Sequence, residues 1–159
     1  MKWVSDSTGR FRERPHYEES ELETDCEEFS HFVIRLRNNG NVGFPLATDE
    51  LTIMIEKAGA DLDLYADLSI YGQDVEGVTE FVYGKRPLVK ISRLLTENPR
   101  MENRLRTTLT HECGHVRHHA QLWELKGRNG DLYSSDSDDA QVCKREKVLK
   151  AKTYDWMEW

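Results

Sequence analysis

The stretch with the longest helical patterning in this chain also carries most of its imidazoles, and that coincidence constrains the fold more than any other feature. Asn98-Pro99 has the form of a helix start: an N-cap side chain, then a proline whose missing N–H costs nothing at the first helical position. From there Met101, Leu105, Leu109, Val116, Ala120 and Trp123 recur at helical spacing, and Gly127 marks the expected stop. A helix of that length with one apolar side has to cover something. The segments before it are short and of mixed type, so an α+β arrangement is expected.

Those segments can be read in turn. Leu22, Cys26, Phe29, Val33 and Leu36 lay an apolar stripe on a helix from Ser20 to Arg37, with acidic residues crowded at its start, Arg35 and Arg37 at its end, and Asn38-Asn39-Gly40 as the stop. Thr48 or Asp49 caps a second helix running through Ala58, with Leu51, Ile55 and Ala58 inward and Gly59 beyond it. Leu62, Leu64, Ala66 and Leu68 alternate with Asp61, Asp63, Tyr65 and Asp67, the pattern of a strand with one wet face. Past a loop over Gly72–Gly77, Val78–Tyr83 and Leu88–Ile91 flank Gly84-Lys85-Arg86-Pro87 as a β-hairpin. The expectation is a small antiparallel sheet packed on helices. Met1 to Tyr17 shows neither period and is expected to run as a surface arm, so residues 1–19 are set apart from a single domain over residues 20–159. After a polar loop from Asn129 to Asp139, the segment from Ala140 to Trp159 reads as helical at its end.

At 159 residues one domain is expected. With 38% hydrophobic and 32% charged residues the chain is too apolar to stay disordered and too polar for a membrane protein. The formal charge of −7 works against direct nucleic-acid binding, because a phosphate backbone would be repelled. The polar start offers no signal peptide, so the cytoplasm is the expected compartment. Cys26, Cys113 and Cys143 are widely spaced and suit reduced thiols, Cys26 and Cys113 as small buried hydrophobes.

The chemistry lies in His111-Glu112-Cys113-Gly114-His115. Residues four apart on a helix differ by about 40° around its axis, so both imidazoles point the same way and can reach one Zn²⁺ at about 2.0–2.1 Å. Glu112 is placed beside them as general base for a water whose pKa zinc lowers to about 7. Gly114 is expected to sit where a metal or backbone comes close. A competing reading is a helix surface of solvated imidazoles, to which His118 and His119 would also belong. A catalytic site needs a third protein ligand and one open position. Asp136, Asp138, Asp139, Glu146, Asp155 and Glu158 are the downstream candidates, and Glu158, in an aromatic run that can carry it inward, ranks narrowly above Glu146.

Leu109-Thr110-His111-Glu112-Cys113-Gly114-His115, preceded by Glu80-Phe81-Val82-Tyr83-Gly84-Lys85-Arg86-Pro87, resembles the ImmA/IrrE family of metallo-endopeptidases, from about Leu22 to the end of the chain. The resemblance implies a zincin-like metallopeptidase domain, a cytoplasmic regulatory protease, and a helix-turn-helix transcriptional repressor as protein substrate. It implies a Glu ligand on a later helix, and Asp155-Trp156-Met157-Glu158-Trp159 is similar to that segment, which places Glu158 with His111 and His115 as metal ligands. Members of the family usually continue well past this Glu, whereas Trp159 follows it directly here. That difference is the ground for an alternative expectation, a weakly active or inactive zincin-like protein that binds a repressor or another partner. An extended peptide is expected to add along Leu88–Ile91 as an edge strand, and Tyr83, His118 and His119 are candidates for stabilising the oxyanion, none ranked above an ordinary surface residue. Replacing Glu158 should weaken zinc retention sharply while leaving the chain folded, read as zinc stoichiometry of the purified protein; unaltered retention would move the third ligand to Glu146 or an aspartate.

Overall fold

The computed structural model describes residues 1–37, 45–128 and 141–146, and its backbone packing divides the chain into Met1–Glu50 and Leu51–Trp159. The first unit opens with strands β1 (Lys2–Ser5) and β2 (Glu13–His16), which pair antiparallel with Lys2 opposite His16 and Ser5 opposite Glu13. This corrects the expectation of an irregular arm. The strands carry no alternating apolar pattern to betray them. Their connection is organised by Asp6, whose carboxylate accepts from the Thr8 amide at 2.9 Å, the Thr8 hydroxyl at 2.8 Å and the Phe11 amide at 3.0 Å, while Gly9 takes the left-handed backbone (φ 76°). Helix α1 (Glu19–Arg37) follows as expected. Its buried positions are Phe29, Val33 and Ile34, whereas Cys26 and Leu36, placed on the inward stripe by their spacing, are exposed.

Helix α2 (Thr48–Lys57) begins one residue earlier than a Thr48 cap would have it, because the Ala47 amide is taken by the Glu50 carboxylate at 2.7 Å, half of a capping box. It ends in a Schellman motif: Gly59 donates to the Glu56 carbonyl and Ala60 to that of Ile55, with Gly59 at φ 103°. Strand β3 (Asp61–Ala66) has the anticipated alternation, with Asp61, Asp63 and Tyr65 outward and Leu62 and Leu64 half-buried. Strands β4 (Val75–Phe81) and β5 (Leu88–Ser92) pair antiparallel as the hairpin reading requires, and β4 starts three residues before its expected beginning. Arg86, in their connection, donates to the carbonyls of Gly59 and Ala60 and pairs with Asp61 at 2.9 Å, which ties the hairpin to the α2–β3 junction.

The sheet order is β3-β5-β4-β6, with β6 spanning Gln141–Glu146. Two expectations are corrected here. The sheet is mixed, because β3 runs parallel to β5, and Leu88–Ile91 is an inner strand, flanked by β3 and β4. Hairpin chemistry sets which strands are neighbours through the turn, but not which of the two receives a third strand on its outer side. The segment beginning at Ala140, read as ending in a helix, contains β6, antiparallel to β4; its later residues lie outside the described ones. The short helix α3 (Arg93–Thr96) leads to Asn98, whose side chain accepts from the Arg100 amide at 3.1 Å, and then to α4 (Glu102–Arg128), the anticipated long helix. Ile55, Val78, Val89, Ile91 and Leu109 are fully buried, each worth about 1.5–3 kcal/mol of apolar transfer. The fold is thus α+β, and no helix of the described residues is long and apolar enough to cross a membrane.

One face of the sheet carries a coupled polar trio. Lys90 donates to Glu80 Oε1 at 2.7 Å, and the Tyr71 hydroxyl donates to the same oxygen. Burial pushes the Glu80 carboxyl upward, but the two hydrogen bonds and the ammonium charge outweigh it and hold the group below the ordinary glutamate value. A lowered carboxylate pKa adds stability that is complete above the unfolded value, about 4.3, and is lost as pH falls through the folded one. Glu80→Gln should therefore destabilise the protein at pH 7 and converge on the parent only as pH falls through the lowered folded-state value of Glu80, in urea denaturation at each pH; a constant difference from pH 7 into acid would show that the charge contributes nothing.

Candidate metal centre

Helix α4 lies against β4 through a ladder of contacts four residues apart. Arg104 Nε reaches both carboxylate oxygens of Glu76, at 2.5 and 2.7 Å. One and two turns on, Thr108 and Glu112 stand over Gly77, and the Thr79 hydroxyl donates to Glu112 Oε2 at 2.6 Å. Three further turns along, Trp123 stacks on Phe81 with ring centroids 6.0 Å apart. The register of β4 against β6 slips between Val75 and Gly77, a β-bulge at Glu76 that lets both Glu76 and Gly77 meet the helix.

This packing sets the rotation of α4 and so the direction of its imidazoles. Thr108 and Glu112 are fully buried, in the stripe that meets the strand. His111 stands about 100° around the axis from Glu112, on the flank of that stripe, and is half-buried; His115 is 3% exposed. Their Nε2 atoms are 2.9 Å apart, with ring planes at 89°. Two ligands of a tetrahedral zinc stand about 3.3 Å apart, so the rings would need to part by only about 0.4 Å to admit an ion. The same separation is that of a hydrogen bond between two imidazoles. Two imidazole nitrogens converging on one point are a donor pair that fits a zinc ion, and the Glu112 carboxylate, turned to Gly77 and Thr79, is not one of its donors.

Of the sequence candidates the structure thus brings together the rings of His111 and His115, while the Glu112 carboxylate lies against Gly77 and Thr79 of β4. Glu146 closes β6 opposite Val75. Glu158, Asp136, Asp138, Asp139 and Asp155 lie outside the described residues, so the third ligand is not placed. Tyr83 is exposed and lines a small cavity with Trp123 and Glu124, toward the far end of α4. His118 is half-buried, and His119 is buried, with Nδ1 3.0 Å from His115 Nδ1. Buried His115 and His119 do not fit a helix surface of solvated imidazoles.

Two residues of this centre were not singled out by sequence: Gly77 and Thr79 sit on β4, and nothing in their spacing ties them to a motif 33 residues downstream. His119, a candidate for the oxyanion or for a solvated surface, instead stands behind His115. No backbone of another described element comes close to Gly114, where a Cβ would meet nothing within 4 Å. The close approach belongs to Gly77, where a Cβ would collide with Glu112 Oε1 and stand 2.7 Å from Thr108 Cγ2.

No family model matches the chain, and no match is found among curated proteins or solved structures. The chemistry therefore rests on these residues. Gly77→Ala should cost about 1–3 kcal/mol by overpacking the Glu112 carboxylate, whereas Gly114→Ala should be neutral or stabilise by up to about 1 kcal/mol. Denaturant unfolding of the two variants checks this, and equal effects would mean that the β4 contact is not tight.

Proposed function

We propose that the chain is a zinc-dependent endopeptidase of the zincin-like, ImmA/IrrE type. In this reading His111 and His115 hold the metal together with Glu158, Glu112 is the general base, and the substrate is a protein, a helix-turn-helix transcriptional repressor. The reading is carried by one observation: the Nε2 atoms of His111 and His115 converge to 2.9 Å on one helix, with buried Glu112 next to His111 in the chain. Bound zinc would supply a Lewis acid at the scissile carbonyl and make water acidic enough to attack near neutral pH.

The chain's own residues account for the remaining requirements. Thr79 donates to Glu112 and fixes the rotation of its carboxylate, so that the proton acceptor is held in place before substrate arrives. Half-exposed His111 leaves the pair with a side that solvent reaches. Backbone pairing of an extended substrate falls to a strand that is outermost among the described residues, β3 or β6, of which β6 neighbours the strand that positions Glu112. The net charge of −7 favours a protein partner over nucleic acid, and the cytoplasm is the compartment where a repressor would be met.

A second reading has its own observation. Glu112 is fully buried, and a carboxylate shut between helix and strand suits a protein that holds metal and binds a repressor without turnover. Glu112→Gln separates the two. On the proteolytic reading it keeps zinc, measured by atomic absorption, and lowers cleavage of a mass-coded peptide library at least about 100-fold. An unchanged rate would reject Glu112 as the base, and a zinc-loaded parent chain that cuts no peptide would favour the binding protein.

A further inference from the structure

Helix α4 carries a third imidazole in the same row. His111, His115 and His119 follow one another at four-residue steps, and their rings touch in sequence, the first pair 4.5 Å apart and edge-on, the second 5.1 Å apart and tilted by 44°. The middle ring is engaged on both sides: Nε2 faces His111 Nε2 at 2.9 Å and Nδ1 faces His119 Nδ1 at 3.0 Å. We propose that His119 is the positioning residue of the metal pair, holding His115 in the tautomer that presents its Nε2 lone pair to the ion. This rests on the metal-centre reading and extends it.

The argument follows from the inventory of a neutral imidazole, which has one N–H donor and one acceptor nitrogen. A ligating nitrogen gives its lone pair to the metal, so a His115 bound through Nε2 carries its proton on Nδ1. At 3.0 Å from that proton's nitrogen, His119 Nδ1 is the acceptor, and His119 in turn bears its own proton on Nε2. The two tautomers are set jointly. Burial strengthens the constraint, since with His115 3% and His119 9% exposed, bulk water is a poor substitute for the ring. His119 itself is not a ligand of the same ion, because it faces the opposite nitrogen of the His115 ring from His111.

A ligand's outer hydrogen-bond partner raises its basicity and fixes its orientation, and losing that partner costs about 10- to 100-fold in metal affinity. His119→Leu fills the site without an acceptor; His119→Asn places an amide oxygen near the position of Nδ1. In chelator competition for zinc on the full chain, His119→Leu should bind about 10- to 100-fold more weakly and His119→Asn should recover most of the loss. Independently of any variant, long-range ¹H–¹⁵N spectra of the zinc-loaded parent should show His115 protonated at Nδ1. A His115 proton on Nε2, a Leu variant that binds as tightly as the parent, or an Asn variant as weak as the Leu one would each overturn the proposal while leaving the metal centre standing. A parent chain that binds no zinc would overturn both.

Discussion

A carboxylate buried between a helix and a strand is costly to hold, and the way this chain holds Glu112 determines much of what surrounds it. Unsatisfied, such a group would cost several kcal/mol. It is accommodated because residue 77 has no side chain and residue 79 offers a hydroxyl, so that β4 can approach the helix backbone closely and still donate to the carboxylate. The contact therefore fixes both the separation of α4 from the sheet and its rotation. Once Glu112 points at β4, geometry leaves no choice about the histidines: at about 100° per residue His111 and His115 must emerge along the flank of the interface.

The contacts on either side hold the same register by different means. Toward the start of α4, the Arg104–Glu76 pair depends on the bulge that turns Glu76 to the helix, and toward its end Phe81 and Trp123 stack. A partly buried ion pair is weak evidence of net stability but a good device for specifying one alignment, since a helix slipped by a turn would leave Glu76 buried without its guanidinium. The bulk of the stabilisation comes instead from the apolar residues of β4, β5 and α4, among which Val78, Val89, Ile91 and Leu109 are wholly buried.

What the sequence could disclose follows from the range of the interactions concerned. Local rules operate within a turn or two, and the elements they govern were legible: the capped start at Asn98, the alternation of β3, the β4–β5 hairpin and the shared face of His111 and His115. Pairings decided by distant backbone were not. The placement of β3 beside β5 leaves no periodic trace, and the β1–β2 hairpin depends on the turn around Asp6 rather than on apolar alternation. The site divides in the same way. Its motif is local and was readable, while Gly77 and Thr79 became part of it only when β4 was laid under the helix, and Cys26 shows that a residue in phase with an apolar stripe can still end up at the surface.

The buried stripe of α4 departs from what packing alone would favour. Thr108, Glu112, His115 and His119 occupy interior positions on a helix whose neighbouring positions are filled by Leu105, Leu109, Val116 and Leu122. Apolar residues of similar volume in place of buried polar groups are often neutral or stabilising, so four polar side chains within three turns represent stability forgone. Local rules are most often broken where a protein does something other than hold itself together. Here the breach lies within residues 108–119 and includes two converging imidazole nitrogens, flanked by the Arg104–Glu76 pair on one side and the Phe81–Trp123 stack on the other. A purely structural account would have to explain why two imidazoles and a carboxylate are buried among Leu109, Cys113 and Val116, whereas the proposed metal reading calls for those residue types at that spacing.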